Sequence, residues 1–217
     1  MRKSAKAILV GGIVFATLIA VTSCYPVVWF LGEVHGRIVD DLTGDPIPDA
    51  AVSASWALQS WEENIVGYLD LTETTTDSNG EFLIASSGPR FHFSRGRLLR
   101  TQPVIRVIAN GYFPALSRSS NDARDAWIHL RSKSNGQIYR LRRAELGEAY
   151  ERALENFVDY FSHVRENRDC EWLRVSGTMA RVVHARGQLI KVGRGAGLPE
   201  APPAPGTDCM RNLQQGE

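Results

Sequence analysis

Two prolines, Pro46 and Pro48, stand between two stretches of strict alternation, and this combination limits the fold more than any other feature. In the first stretch Val34, Gly36 and Ile38 fall on one side and His35, Arg37 and Val39 on the other. In the second, Val52, Ala54, Trp56 and Leu58 alternate with Ala51, Ser53, Ser55 and Ala57. Period-two alternation marks β-strands. Proline fixes φ and carries no amide hydrogen, so residues between the strands belong at a turn or a sheet edge. Asp41 and Gly44 add turn chemistry there, and Ile47, between the prolines, is free to point at a core.

The same pattern continues along the chain. Leu71–Asp77 is rich in β-branched threonine, and Ser78-Asn79-Gly80 leads into Glu81–Ser86, which reads as a hairpin. Ile105, Val107 and Ala109 share a face before a turn at Gly111, and Ala126, Ile128 and Leu130 share another. Six or seven short strands separated by turns predict a small antiparallel β-sandwich. Two segments, Gln59–Leu71 and Ser86–Gln102, read as long connections.

Four stretches carry a resemblance. Gly36–Asp40 (with Ile38), Thr43–Ala50, Thr76–Phe82 and Gly111-Tyr112, in that order and closed by Ile128-His129-Leu130, resemble the landmarks of the carboxypeptidase regulatory-like domain. That resemblance covers residues 32–132 and implies a transthyretin-like antiparallel β-sandwich. It implies little about activity, because such modules are appended to enzymes, transporters and adhesins alike.

The first residues are set apart from the fold. Arg2, Lys3 and Lys6 precede an uncharged apolar run, Ala7–Val21, in the order of a secretory signal. An uncleaved anchor helix is the alternative, but the run falls short of the roughly 20 residues a span requires. Val21-Thr22-Ser23-Cys24 resembles the lipobox of bacterial lipoproteins, with Val where Leu is commonest, and implies cleavage of residues 1–23 and lipidation, palmitate included, at Cys24. Cleavage after Ser23 by an ordinary signal peptidase is the other option. Cysteine parity favours lipidation: of Cys24, Cys170 and Cys209, acylating the first leaves a pair. Tyr25 after the cysteine, by resemblance to enterobacterial lipoproteins, implies the outer membrane, with the protein facing the periplasm.

Composition adds exclusions. A chain of 217 residues with 43% hydrophobic and 23% charged residues is not wholesale disordered. The net charge of +1 becomes −2 once residues 1–23, with three basic residues and no acid, are removed, so nothing global points to nucleic acid. One segment is locally basic. Arg90, Arg95, Arg97, Arg100 and His92 interleave with Phe91 and Phe93 without an acid, a pattern suited to phosphate groups of lipid headgroups or to an acidic partner. The plainer alternative is a solvated loop whose phenylalanines cover the sandwich.

After a membrane-proximal segment (24–31) and the sandwich, residues 133–198 read as a helical extension. Leu146, Tyr150, Ala153, Leu154, Phe157, Val158, Phe161 and Val164 recur at helical spacing within Ala144–Asn167, a stripe that predicts docking on the sandwich or, alternatively, a partner-binding helix. Ser176–Gly193 fits a second helix, with a hairpin around Arg186-Gly187 as the alternative. The Pro-rich tail 199–217 carries Cys209, and a Cys170–Cys209 disulfide would tie it back with about 4 kcal/mol of loop-closure stabilisation.

Chemistry is sparse. His163 and Glu166 have the His-x-x-Glu spacing of a zinc pair, with His184 as a conceivable third ligand, but the large α/β domain that uses such a pair in metallocarboxypeptidases has no room here. The reading is a non-catalytic, lipid-anchored envelope protein with a protein partner and no cofactor or metal. Its rivals are a carbohydrate- or peptidoglycan-binding module using Trp56, Trp61 and Tyr68, and a small metal-dependent hydrolase. In the folded, unreduced protein neither Cys170 nor Cys209 should react with an alkylating reagent, and both should react after reduction, as read by mass spectrometry.

Overall fold

The computed structural model describes residues 26–60, 62, 65–93, 97–98, 103–117, 135–166 and 171–199. The strands in chain order are β1 (Pro26–Leu31), β2 (Val34–Asp40), β3 (Ala51–Gln59), β4 (Ile65–Thr75) and β5 (Glu81–Ile84). They continue with β6 (Ser87–Phe93), β7 (Arg97–Leu98), β8 (Val104–Ile108), β9 (Ala115–Ser117) and β10 (Gln137–Leu141). Helix α1 (Glu148–Glu166), a 3-10 turn (Glu171–Val175) and helix α2 (Ser176–Ile190) follow.

The chain is mainly β, with two sheets face to face and a helical layer on one of them. In the smaller sheet β2 lies between β5, antiparallel, and β10, parallel. In the larger, β3 lies between β4 and β8, with β9 beyond β8 and β7 pairing β3 at Leu58 and Gln59. Between the sheets, Val34, Ile38 and Phe82 meet Val52, Trp56 and Ile105, among others. On the outer face of the larger sheet, Ala51, Ala57 and Ile108 lie under Leu154 of α1 and Met179 and Val182 of α2. Strand β3 is therefore buried on both faces. The small residues Ala51, Ser53, Ser55 and Ala57 on its helix side let the helical layer approach closely.

Several expectations need correction. The Leu71–Ser86 region is no hairpin, because β4 and β5 belong to different sheets. The turn between them is pinned to β2: Ile38 donates its amide to the Gly80 carbonyl at 2.8 Å. The Asp77 carboxylate also accepts the Asn79 and Glu81 amides, which sharpens the bend. Gly80 has φ +71°, and a Cβ there would lie 2.4 Å from the Ile38 carbonyl oxygen, so only glycine lets the chain cross between sheets here. Ser86–Gln102 contains β6 and β7 instead of a plain connection. Ala126–Arg131 lies outside the described residues, and β10, past the expected boundary at 132, lies beside β2.

The proline segment behaves as its sequence predicts. Val39 and Pro46 form an isolated bridge, Ile47 is buried, and both prolines are exposed. Thr76 fastens it. Its hydroxyl donates to the Ile47 carbonyl at 2.7 Å and accepts the Ala50 amide at 2.8 Å. Both helices dock on the sandwich, and residues 176–190 are helix, with α1 beginning at Glu148, later than Ala144, so that Leu146 stays outside it. Replacing Thr76 with Val keeps the shape but leaves two buried backbone groups unpaired, so T76V should lose about 2 kcal/mol in urea unfolding.

Candidate functional site

The most elaborate polar cluster surrounds Asp40, at the end of β2 and only 1% exposed. One carboxylate oxygen, Oδ1, accepts the amides of Leu42 and Thr43 at 2.9 and 3.1 Å, closing a local turn. The other, Oδ2, accepts the Tyr112 hydroxyl at 3.0 Å and the Arg143 Nε at 2.6 Å. The Arg143 guanidinium, followed by the Thr43 amide, holds the Asp40 carboxyl well below the usual carboxylate range. Burial, then the Asp40 hydrogen bond, pushes the Tyr112 phenol up, and Asp40 raises Arg143. A carboxylate engaged by four donors and ionised far below neutrality is a poor general base, and a phenol pushed up stays protonated. The cluster is a structural joint linking β2, the turn at Gly111 and the segment after β10.

Other carboxylates fix the helical layer. The α2 N-terminus has no side-chain cap of its own, and Glu73 of β4 supplies one by accepting the Gly177 and Thr178 amides at 2.9 and 2.6 Å. A Cβ on Gly177 would come within 2.4 Å of that carboxylate, so a glycine is what admits it. Arg181 of α2 bonds both the carbonyl and the carboxylate of Asp49, at 2.7 Å each. Glu151 of α1 accepts the Gly195 amide at 2.5 Å and Arg194 at 3.1 Å, and the amide, then the arginine, hold its carboxyl below its ordinary value of 4.5. Arg174 reaches Asp70 at 3.2 Å, and buried Arg106 donates to the Ser55 hydroxyl.

The residues singled out in the sequence are distributed as follows. Arg90, Phe91, His92 and Phe93 lie on β6, opposite β1, and Arg97 lies on β7 opposite Gln59. Their setting is therefore strand and not the loop expected. Arg95, Arg100, Cys24, Cys170 and Cys209 lie outside the described residues, as do Trp61 and His129. Trp56 and Tyr68 are 3% and 5% exposed, in the two different cores, so they form no stacking platform. His184 lines a depression of about 400 Å³ with Tyr150. His163 lies thirteen positions beyond Tyr150 on α1, about 20 Å along the helix axis, which keeps the His163–Glu166 backbone away from His184. Among the described residues no three metal-ligating side chains cluster, and no helix is long and apolar enough to cross a membrane. An open groove of about 630 Å³ runs between the β4 and β5 edges, with His35, Arg37, Asp77, Glu81 and Leu83 along it.

Two partnerships were out of reach of sequence reasoning. Arg143 is 103 residues from Asp40, and Thr178 is 105 from Glu73, with no local signal joining either pair. The Asp40–Tyr112 bond could be found, since both residues belong to the landmark stretches.

No family model matches the chain, and no curated protein matches it. Among solved structures, a streptococcal ancillary pilin is similar over 52% of this chain and 29% of its own, at 12% identity and a TM-score of 0.29. The C-terminal domain of the shaft pilin SpaA from Lactobacillus rhamnosus GG is similar over 54% of this chain and 99% of its own, at 11% identity and a TM-score of 0.28. The chain thus spans under a third of the ancillary pilin. At these TM-scores neither likeness bears on function.

The Asp40 joint has a pH signature. Its lowered carboxyl contributes stability that is fully present above the ordinary value of 3.8 and is lost as pH falls toward the folded value. Thermal unfolding from pH 7 to pH 2 should show a midpoint that declines below about pH 4, the unfolded carboxylate range. Asp40→Asn should start lower at neutral pH and decline less.

Proposed function

We propose that this chain is a non-catalytic, lipid-anchored protein of the bacterial envelope, held by Cys24 and facing the periplasm at the outer membrane, where it binds or scaffolds a protein partner. Its sandwich is of the transthyretin-like kind found in carboxypeptidase regulatory-like domains. The observation that carries this reading is where the four landmark stretches meet. Asp40 of the first bonds Tyr112 of the last. Ile47, in the proline stretch, bonds Ile38 and Thr76, and Gly80 of the third stretch accepts the Ile38 amide. Asp40, Tyr112 and Thr76, polar residues that carry the resemblance, thus spend hydrogen bonds on holding one sandwich together. A binding module fits such an allocation better than an enzyme does.

The rivals have less support. A glycan platform loses Trp56 and Tyr68 to the cores. A zinc hydrolase needs His184 to meet residues that the α1 backbone carries away from it.

Metabolic labelling with an alkyne fatty acid tests the anchor, and in-cell crosslinking with mass spectrometry tests the partner. The full chain should take up label and sediment with membranes, while Cys24→Ser should lose the label. One reproducible crosslinked protein is the expected capture. Absence of label on the wild type would refute the anchor, and absence of any protein capture would refute the scaffold.

A further inference from the structure

The sequence holds three Asn-Gly pairs, Asn79-Gly80, Asn110-Gly111 and Asn135-Gly136. In such a pair the asparagine side-chain carbonyl carbon is close to the next main-chain nitrogen, and glycine has no side chain to shield that nitrogen. Whether the two atoms meet depends on whether the peptide unit between them can turn. At Asn79-Gly80 it is held at both ends. The Asn79 carbonyl accepts Arg37 Nε at 2.9 Å, and the Gly80 amide donates to the Asp77 carbonyl at 3.0 Å. The Ile38 carbonyl, 2.4 Å from where a Cβ on Gly80 would stand, walls in the same backbone. At Asn135-Gly136 both reacting groups are tied to His35. The Asn135 side-chain oxygen accepts the His35 amide at 2.8 Å, and the Gly136 amide donates to the His35 carbonyl at 2.9 Å.

Asn110-Gly111 is held differently. The Tyr112 amide donates to the Ala109 carbonyl at 3.2 Å, closing a turn with Gly111, at φ +81°, in its third position. The Gly111 carbonyl accepts the Ala144 amide at 2.8 Å, so the far side of the turn is anchored. Its central peptide unit, made of the Asn110 carbonyl and the Gly111 amide, has no hydrogen-bond partner among the described residues. The Asn110 side chain has none there either. Both residues are exposed, and no atom outside the adjoining residues lies within 4 Å of the Cβ position of Gly111. A central turn peptide bonded at neither end can rotate while the bonds around it stay made.

We propose that Asn110 is a site of spontaneous deamidation in the folded protein, while the fold protects Asn79 and Asn135. The Gly111 nitrogen gives its proton to solvent base and bonds to Asn110 Cγ, the side-chain nitrogen leaves as ammonia, and a cyclic imide closes. Water then opens the imide. Cleavage of the bond from Cγ to nitrogen leaves aspartate, and cleavage at the main-chain carbonyl leaves isoaspartate, with the chain now running through Cγ. No atom changes oxidation state. Isoaspartate lengthens the main chain between Ala109, buried just after β8, and Tyr112, whose hydroxyl bonds Asp40. It pushes the Gly111 carbonyl off the Ala144 amide and loosens the Asp40 joint. Aspartate keeps the chain length and leaves the joint intact.

Peptide mapping by mass spectrometry tests it, on the wild-type full chain kept folded in detergent at mildly alkaline pH. Asn110 should convert several-fold faster than Asn79 and Asn135, and in urea the three should convert at similar rates. Conversion at Asn79 or Asn135 as fast as at Asn110 in the folded chain, or none at Asn110, would overturn the proposal. The isoaspartyl fraction, separated by chromatography, should unfold at a lower temperature than unconverted protein, while Asn110→Asp should unfold with the wild type. An isoaspartyl fraction as stable as the wild type, or an Asn110→Asp variant as weak as that fraction, would overturn the link to the Asp40 joint.

Discussion

The Asp40 carboxylate is the contact on which the sandwich depends. An ionised side chain at 1% exposure is tolerable only when donors replace the water it has lost, and here four do. Two come from the turn that follows β2, so the end of that strand is shaped by its own last residue. The other two come from Tyr112 and Arg143, which are themselves joined by a backbone bridge. Closing β10 against β2 and bringing Tyr112 over the corner are thus parts of one electrostatic arrangement. Its charge balance is local: a single carboxylate is countered by a single guanidinium reaching in from the surface.

The larger sheet is held differently. Strand β3 has no solvent face, so the helical layer is part of the fold and no mere attachment. Three carboxylates on the sheet, its turn and α1 (Glu73, Asp49 and Glu151) meet the α2 N-terminus, Arg181 and the segment after α2. Each combines charge with backbone hydrogen bonds, which fixes direction as well as distance. Apolar burial of Leu154, Met179, Val182 and Leu189 supplies the bulk of the attraction, and the carboxylates select the register.

Much of this was legible where physics is local. Alternation located β2, β3 and β8, and the prolines located their turn, because burial of one face and loss of amide donors act on neighbouring residues. The stripe of Tyr150, Leu154 and Phe157 likewise announced α1. Asn79-Gly80 misled, because the bend it makes is set by a bond to Ile38 in the other sheet. Arg90-Phe91-His92-Phe93 is itself an alternating run, and its period alone specifies the strand, while its charge and aromaticity suit a loop equally well. The second helix was underdetermined: Ser176–Gly193 fits two conformations until Glu73, far back in the chain, caps one of them. In the candidate site, Asp40 and Tyr112 were visible only as landmarks, and Arg143 not at all.

The parallel pairing of β2 with β10 also has a meaning in time. Arg143 follows Asp40 by 103 residues, so as the chain emerges from the ribosome β2 must wait for most of the sandwich to be made before its second neighbour exists. During that interval one edge of β2 has open hydrogen-bonding groups and Asp40 lacks its counter-ion. Closure of so long a loop is slow, and a waiting apolar edge invites wrong pairings. Strand β2, though synthesised early, is thus among the last to be completed, because its parallel neighbour exists only once the chain has reached Leu141.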